Sequence, residues 1–174
     1  MTELHTNPTQ LTGLLAFALA ALACAAAARR GAGALWWRVA AWQAVCVAEV
    51  LFGFRHRAHD LVDTLLVANG LYGERGPLQV ALLVAALALA LLTFVALTRL
   101  RRAGTELWLA ATATAGALWL FAAESVSLHG VDAVMYLSLG PVLLISWCWA
   151  ACAAVVAGAA MRALRRESVP GLRR

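Results

Sequence analysis

The chain has no lysine and little charge of any kind. All fourteen basic residues are arginine, and charged residues make up 13% of the 174 positions, where an ordinary soluble domain carries about 25%. That scarcity, together with 63% hydrophobic residues and a mean hydropathy of +0.80, excludes a soluble globular fold. Cysteine is absent from every expected loop. Cys24, Cys46, Cys148 and Cys152 all fall in apolar runs, so no disulfide framework is indicated and packing is their default role. The i, i+4 spacing of Cys148 and Cys152 also admits a thiol metal relay or redox pair. Missing too are a phosphate-binding glycine loop, a Gly-x-Ser-x-Gly elbow and a His-Glu-x-x-His zinc motif, so no reaction is named by motif. No arginine cluster alternates with stacking aromatics, and nucleic acid is therefore not an expected partner despite the net charge of +5.

What the chain does have is long apolar runs. They predict an all-α integral membrane protein, a bundle of about five transmembrane helices with an amphipathic outer helix after the second span. The expected spans are 11–28, 34–54, 78–97, 106–127 and 142–161. Residues 1–10 form an outer N-terminal segment, residues 11–166 a single transmembrane domain, and residues 167–174 a disordered cytoplasmic tail. The first run is a span rather than a signal peptide, because Met1–Gln10 holds Glu3 and no arginine while Arg29 and Arg30 follow the run. After Phe54, Ala58, Leu61, Val62, Leu65 and Leu66 recur at helical spacing, giving an amphipathic helix over about 55–69 that is ended by Asn69, Gly70, Gly73 and Gly76-Pro77. Residues 131–161 are too long for one upright span, and Gly140-Pro141 interrupts them, which leaves open whether 131–139 is a separate short helix.

The arginines set the expected topology. With the N-terminus outside and the C-terminus cytoplasmic, the inner side receives Arg29, Arg30, Arg38, Arg99, Arg101, Arg102, Arg162, Arg165, Arg166, Arg173 and Arg174, eleven of the fourteen. The acids and histidines collect on the other side. The expected partners are the lipid bilayer and other membrane subunits or a second copy of the chain.

The densest polar stretch is Glu49 to Asp63, EVLFGFRHRAHDLVD. On one continuous helix Glu49, His56, Asp60 and Asp63 share a face, and His59 with Asp63 makes a second i, i+4 pair beside it. Glu124, near the outer end of the fourth span, forms a similar corner with His129 and Asp132 just beyond it. Carboxylates near hydrocarbon need partners. Carboxylate and imidazole ligands on facing helices are how bundles hold metals. The expectation is thus an outward-facing transition-metal site (iron, copper, manganese or zinc), with redox chemistry at the membrane surface as one use for it and Glu49, His56, His59, Asp60, Asp63, Glu124, His129 and Asp132 as ligand candidates. His56 and His129 as axial ligands of a b-type haem form a weaker variant, since a porphyrin wants an apolar envelope. Three plainer alternatives stand beside it: a salt-bridge network of Glu49, Arg55, Arg57 and Asp132, a small non-catalytic subunit of a larger membrane complex, and a transporter.

Overall fold

The computed structural model describes residues 7–126 and 129–167, with the side chains of Glu74 and His129 outside the description. Seven α-helices account for most of it: α1 (Pro8–Arg29), α2 (Leu35–Phe52), α3 (Phe54–Ala68), α4 (Arg75–Thr98), α5 (Thr105–Val126), α6 (His129–Met135) and α7 (Leu144–Glu167). Short 3-10 turns, Tyr72–Glu74 and Arg99–Ala103, lie at the two ends of α4. Five segments are long and apolar enough to cross a membrane: α1, α2, α4 with its trailing turn, α5 and α7. The chain is an all-α bundle of membrane-spanning character. The first part of the interrupted fifth segment is α6. It is followed by a two-stranded hairpin, β1 (Ser138–Leu139) and β2 (Val142–Leu143), which turns at Gly140-Pro141 with Gly140 at φ 69°.

Each helix starts and stops for a local reason. Asn7 accepts a hydrogen bond from Gln10 N at 2.7 Å, and Pro8 occupies the first turn of α1, where its missing N–H costs nothing. The Gly76-Pro77 pair, expected to end the amphipathic helix, instead lies in the first turn of α4, where proline is tolerated for the same reason. Asn69 and left-handed Gly70 end α3.

The core is built by α1, α2, α5 and α7. Helix α1 packs on α2 and α7, α5 packs on α7 and on α2, and α4 is held chiefly against α5. Ala20, Ala27, Ala110, Ala117 and Ala160 are fully buried, so the backbones approach closely across small side chains, the usual way helices associate where lipid removes the hydrophobic drive between them. Around this alanine seam stand Phe17, Phe121 and Trp149, with ring centroids 5.9 Å apart for the first pair and 5.2 Å for the second. In mid-bundle Gln43 Nε2 donates to Thr114 Oγ1 at 2.8 Å, linking α2 to α5.

The two ends of the bundle differ in charge. At one end Arg166 pairs with Glu106 at 2.7 Å and Arg101 lies 4.0 Å over the Trp108 ring. This end also carries Arg29, Arg30, Arg38, Arg99 and Arg102. At the other end α1 begins, α2 breaks into α3, α5 stops and the hairpin leads into α7. That acidic end is stitched by Gln10 Nε2 to Val50 O at 3.0 Å, Leu143 N to Thr9 Oγ1 at 3.2 Å and Ser146 Oγ to Thr9 O at 3.1 Å.

Candidate functional site: a polar cleft around Arg55

The site originates in one residue, Gly53. It adopts φ 61°, ψ 43°, a left-handed conformation that stops α2 and reorients the chain into α3. The second expected span therefore ends at Phe52, and the continuous helix that would have aligned Glu49 with His56, Asp60 and Asp63 does not exist. Gly53 has no side chain to cap the new helix. Glu49 supplies the cap from the preceding one: its Oε1 accepts from Arg55 N at 2.9 Å, satisfying a backbone donor that the start of α3 leaves unpaired and placing a carboxylate at the positive end of its dipole.

The same turn swings the Arg55 side chain inward. Its Nη1 lies 3.1 Å from Glu49 Oε1, and its Nε lies 3.4 Å from Glu124 Oε2, across on α5. The Arg55 side chain is 10% exposed and that of Glu124 0%. Phe121 and Trp149 lie together on one side of the guanidinium, with ring centroids 5.2 Å and 5.3 Å from Cζ, within range of cation–π attraction while its nitrogens meet carboxylates. Tyr136 OH donates to Glu124 Oε1 at 3.4 Å. Glu124 Oε2, by contrast, takes no hydrogen bond, its approach to Arg55 Nε being an ion contact without hydrogen-bond geometry. Asp132 lies within electrostatic range of both Tyr136 and Glu124.

Of these residues Arg55, Glu124, Tyr136 and Trp149 line a cleft of about 360 Å³ between the first turn of α1, the α2–α3 break, α5 and the hairpin. Asn7, Gln10, Arg55, His56, Glu124 and Tyr136 give it polar groups, and Val50, Phe52, Ile145 and Trp149 give it apolar walls. His56, at the mouth, has its pKa held below the ordinary imidazole range, first by partial desolvation and then by the Arg55 guanidinium. Tyr136 has its phenol pushed up, first by desolvation and then by the Glu124 carboxylate.

The expected metal site is not formed. Among the described residues, no group of three or more His, Cys, Asp and Glu side chains is placed to hold a metal ion. The physical reasons are visible. The break at Gly53 takes Glu49 out of phase with the histidines. The space between Glu49 and Glu124 is taken by a guanidinium, a permanent cation that ligates nothing. His59 and Asp63 pair with each other at 3.6 Å and line a separate crevice with Arg75 and Gln79, while Asp60 is exposed. The structure thus brings together Glu49 and Glu124, with His56 beside them and Asp132 nearby, and leaves His59, Asp60 and Asp63 out. The expected placement of the His129 side chain lies outside the described residues. Transition-metal binding, with the surface redox chemistry that rested on it, is overturned. The haem variant falls with it, since its first ligand His56 stands among the ionic groups of the cleft rather than in an apolar envelope. The thiol pair fares no better as a metal relay: Cys148 and Cys152 are free and belong to no such group.

Sequence reasoning placed Arg55 beside Glu49 but missed Tyr136, Gln10 and Trp149. Tyr136 carried a signal, being a lone phenol in an otherwise apolar stretch between Asp132 and Ser138. Gln10 and Trp149 carried none, because their roles depend on α1 and α7 meeting the end of α2. No family model, no curated protein and no solved structure matches this chain.

Proposed function

We propose that this multi-pass membrane protein is a binding protein whose cleft opens on the non-cytoplasmic side and takes a small polar solute bearing a cationic N–H group. The observation that carries the reading is Glu124: a fully buried carboxylate with one oxygen free of hydrogen bonds, lining a cleft that connects to the surface. Charge supports it. One guanidinium faces two carboxylates, Glu49 and Glu124, so the acids outnumber the arginine in a region where uncompensated charge costs several kcal/mol. A primary ammonium in the cleft compensates that charge. The orientation rests on the arginines, which crowd the opposite end of the bundle. Below the cleft the packed rings of Phe17, Phe121 and Trp149 favour binding over passage through the bundle.

The test is a titration of purified protein with ethylammonium and, at matched ionic strength, with acetate, read by thermal unfolding and tryptophan fluorescence. A saturable shift with ethylammonium alone, lost in Glu124→Gln, is the expected result. No saturable response to either ion would reduce the Glu49–Arg55–Glu124 network to a structural clamp.

One observation favours a second reading, a non-catalytic subunit of a larger assembly or a homo-oligomer: none of the residues of α4 is buried within the chain. That face suits a partner helix as well as lipid. Size determination in a mild detergent separates the two, since a single protein chain per particle leaves α4 to lipid.

A further inference from the structure

A second crevice lies at the arginine end, between α2, the end of α4 and α5, with a volume of about 340 Å³. Its floor is Val39, Leu107, Ala111 and Ala115. The two hydroxyls on its walls are already satisfied: Thr93 donates to Leu89 O at 2.8 Å, and Thr114 donates to Ala110 O at 2.8 Å while accepting from Gln43. Away from Arg38 at its mouth, the lining asks for no polar occupant.

We infer that this crevice seats one acyl chain of an anionic phospholipid, with the lipid phosphate held by Arg38. Length and charge carry the inference. Along α5 the lining runs from Leu107 to Leu118, about 16 Å at 1.5 Å per residue, which matches one leaflet of a hydrocarbon core about 30 Å thick. At the mouth Arg38 lines the crevice itself, and Leu100, also in the lining, is flanked by Arg99, Arg101 and Arg102. Arg101 is engaged with Trp108. Arg38, Arg99 and Arg102 are exposed and have no carboxylate partner among the described residues. An apolar slot one leaflet deep, opening under arginines, selects a lipid by its headgroup charge as well as by its chain.

Native mass spectrometry of protein taken from bilayers of equal phosphatidylcholine and phosphatidylglycerol tests this. The expected outcome is one retained phosphatidylglycerol per chain, favoured about tenfold or more over phosphatidylcholine. Arg38→Ala should abolish that preference. Ala111→Leu with Ala115→Leu, which fills the slot and leaves the arginines, should release the lipid, with thermal unfolding used to confirm that each variant is folded. Equal retention of the two lipids, or retention of phosphatidylglycerol by the folded slot-filled variant, would overturn the assignment. So would displacement of the lipid by inorganic phosphate, which would make the site a surface anion site.

Discussion

Arg55 on α3 and Glu124 on α5 meet at 3.4 Å at a point where the carboxylate is wholly buried, and the guanidinium reaches back at the same time to Glu49. Removing it leaves the Glu124 carboxylate buried without its cation, with the partly exposed Glu49 carboxylate as an electrostatic neighbour. Arg55→Ala should therefore lower stability by about 3–5 kcal/mol, measured by unfolding in detergent. Arg55→Lys should recover little, because a point-charge ammonium cannot bridge both acids and keep the contacts with Phe121 and Trp149 as the extended guanidinium does. Replacing both partners, Arg55→Gln with Glu124→Gln, should be less damaging than Arg55→Ala alone, and a double variant that is worse would show that the pair is not coupled.

Gly53→Ala tests the turn on which the site depends. At φ 61° an alanine costs about 1–2 kcal/mol in local strain, and its Cβ would stand 3.4 Å from His56 Cδ2. Stability should drop by that amount, and ethylammonium affinity should weaken with it. A neutral substitution would mean that the chain does not break where the structure places the break.

Gly13 sits where α1 crosses α7, and a Cβ there would lie 3.0 Å from Trp149 Cε3. Gly13→Val should cost about 1–3 kcal/mol by overpacking. It should also be non-additive with Arg55→Ala, because Trp149 contacts both positions. Gly158→Ala in α7 is the matched control: nothing lies within 4 Å of the added atom, and the helix gains up to about 1 kcal/mol of propensity.

The fold was legible in the sequence because membrane spans are written in unbroken apolar length, and the arginines mark which ends go together. The site was half legible. Glu49 and Glu124 stood out as carboxylates near hydrocarbon, and they do converge. The metal expectation failed on phase: aligning Glu49 with His56, Asp60 and Asp63 assumes one continuous helix across the junction of the second span and the amphipathic helix, and Gly53 breaks it there. His59 and Asp63 then find each other instead of the cluster. The hairpin at 138–143 gave no strand signal, since four residues of ladder around Gly140-Pro141 are too few to show a period of two.

His56 sets an acid limit. Its folded-state pKa lies below the unfolded value, so as pH falls through the ordinary imidazole range near 6.5 the unfolded chain takes up the proton first, and stability falls with pH. Desolvation and Arg55 outweigh the opposing pull of Glu49 and Asp60. Melting curves between about pH 7.5 and 5.5 should show the wild type losing more stability than His56→Gln, and parallel curves would refute the assignment. Tyr136 works in the opposite sense. Its raised pKa makes stability fall as pH rises above about 10, a loss that Tyr136→Phe should lack.

An acidic-end cleft open to the outside and able to hold a cationic solute can be probed by labelling a single cysteine at its mouth in intact cells. In a variant with the four native cysteines replaced by alanine, His56→Cys should react with a membrane-impermeant maleimide added from outside, and ethylammonium should slow the reaction saturably. Gly31→Cys, at the arginine end, should react only after the cells are permeabilised. Labelling of position 31 from outside with position 56 silent until permeabilisation, or labelling at 56 that ethylammonium leaves unchanged, would rule out such a cleft.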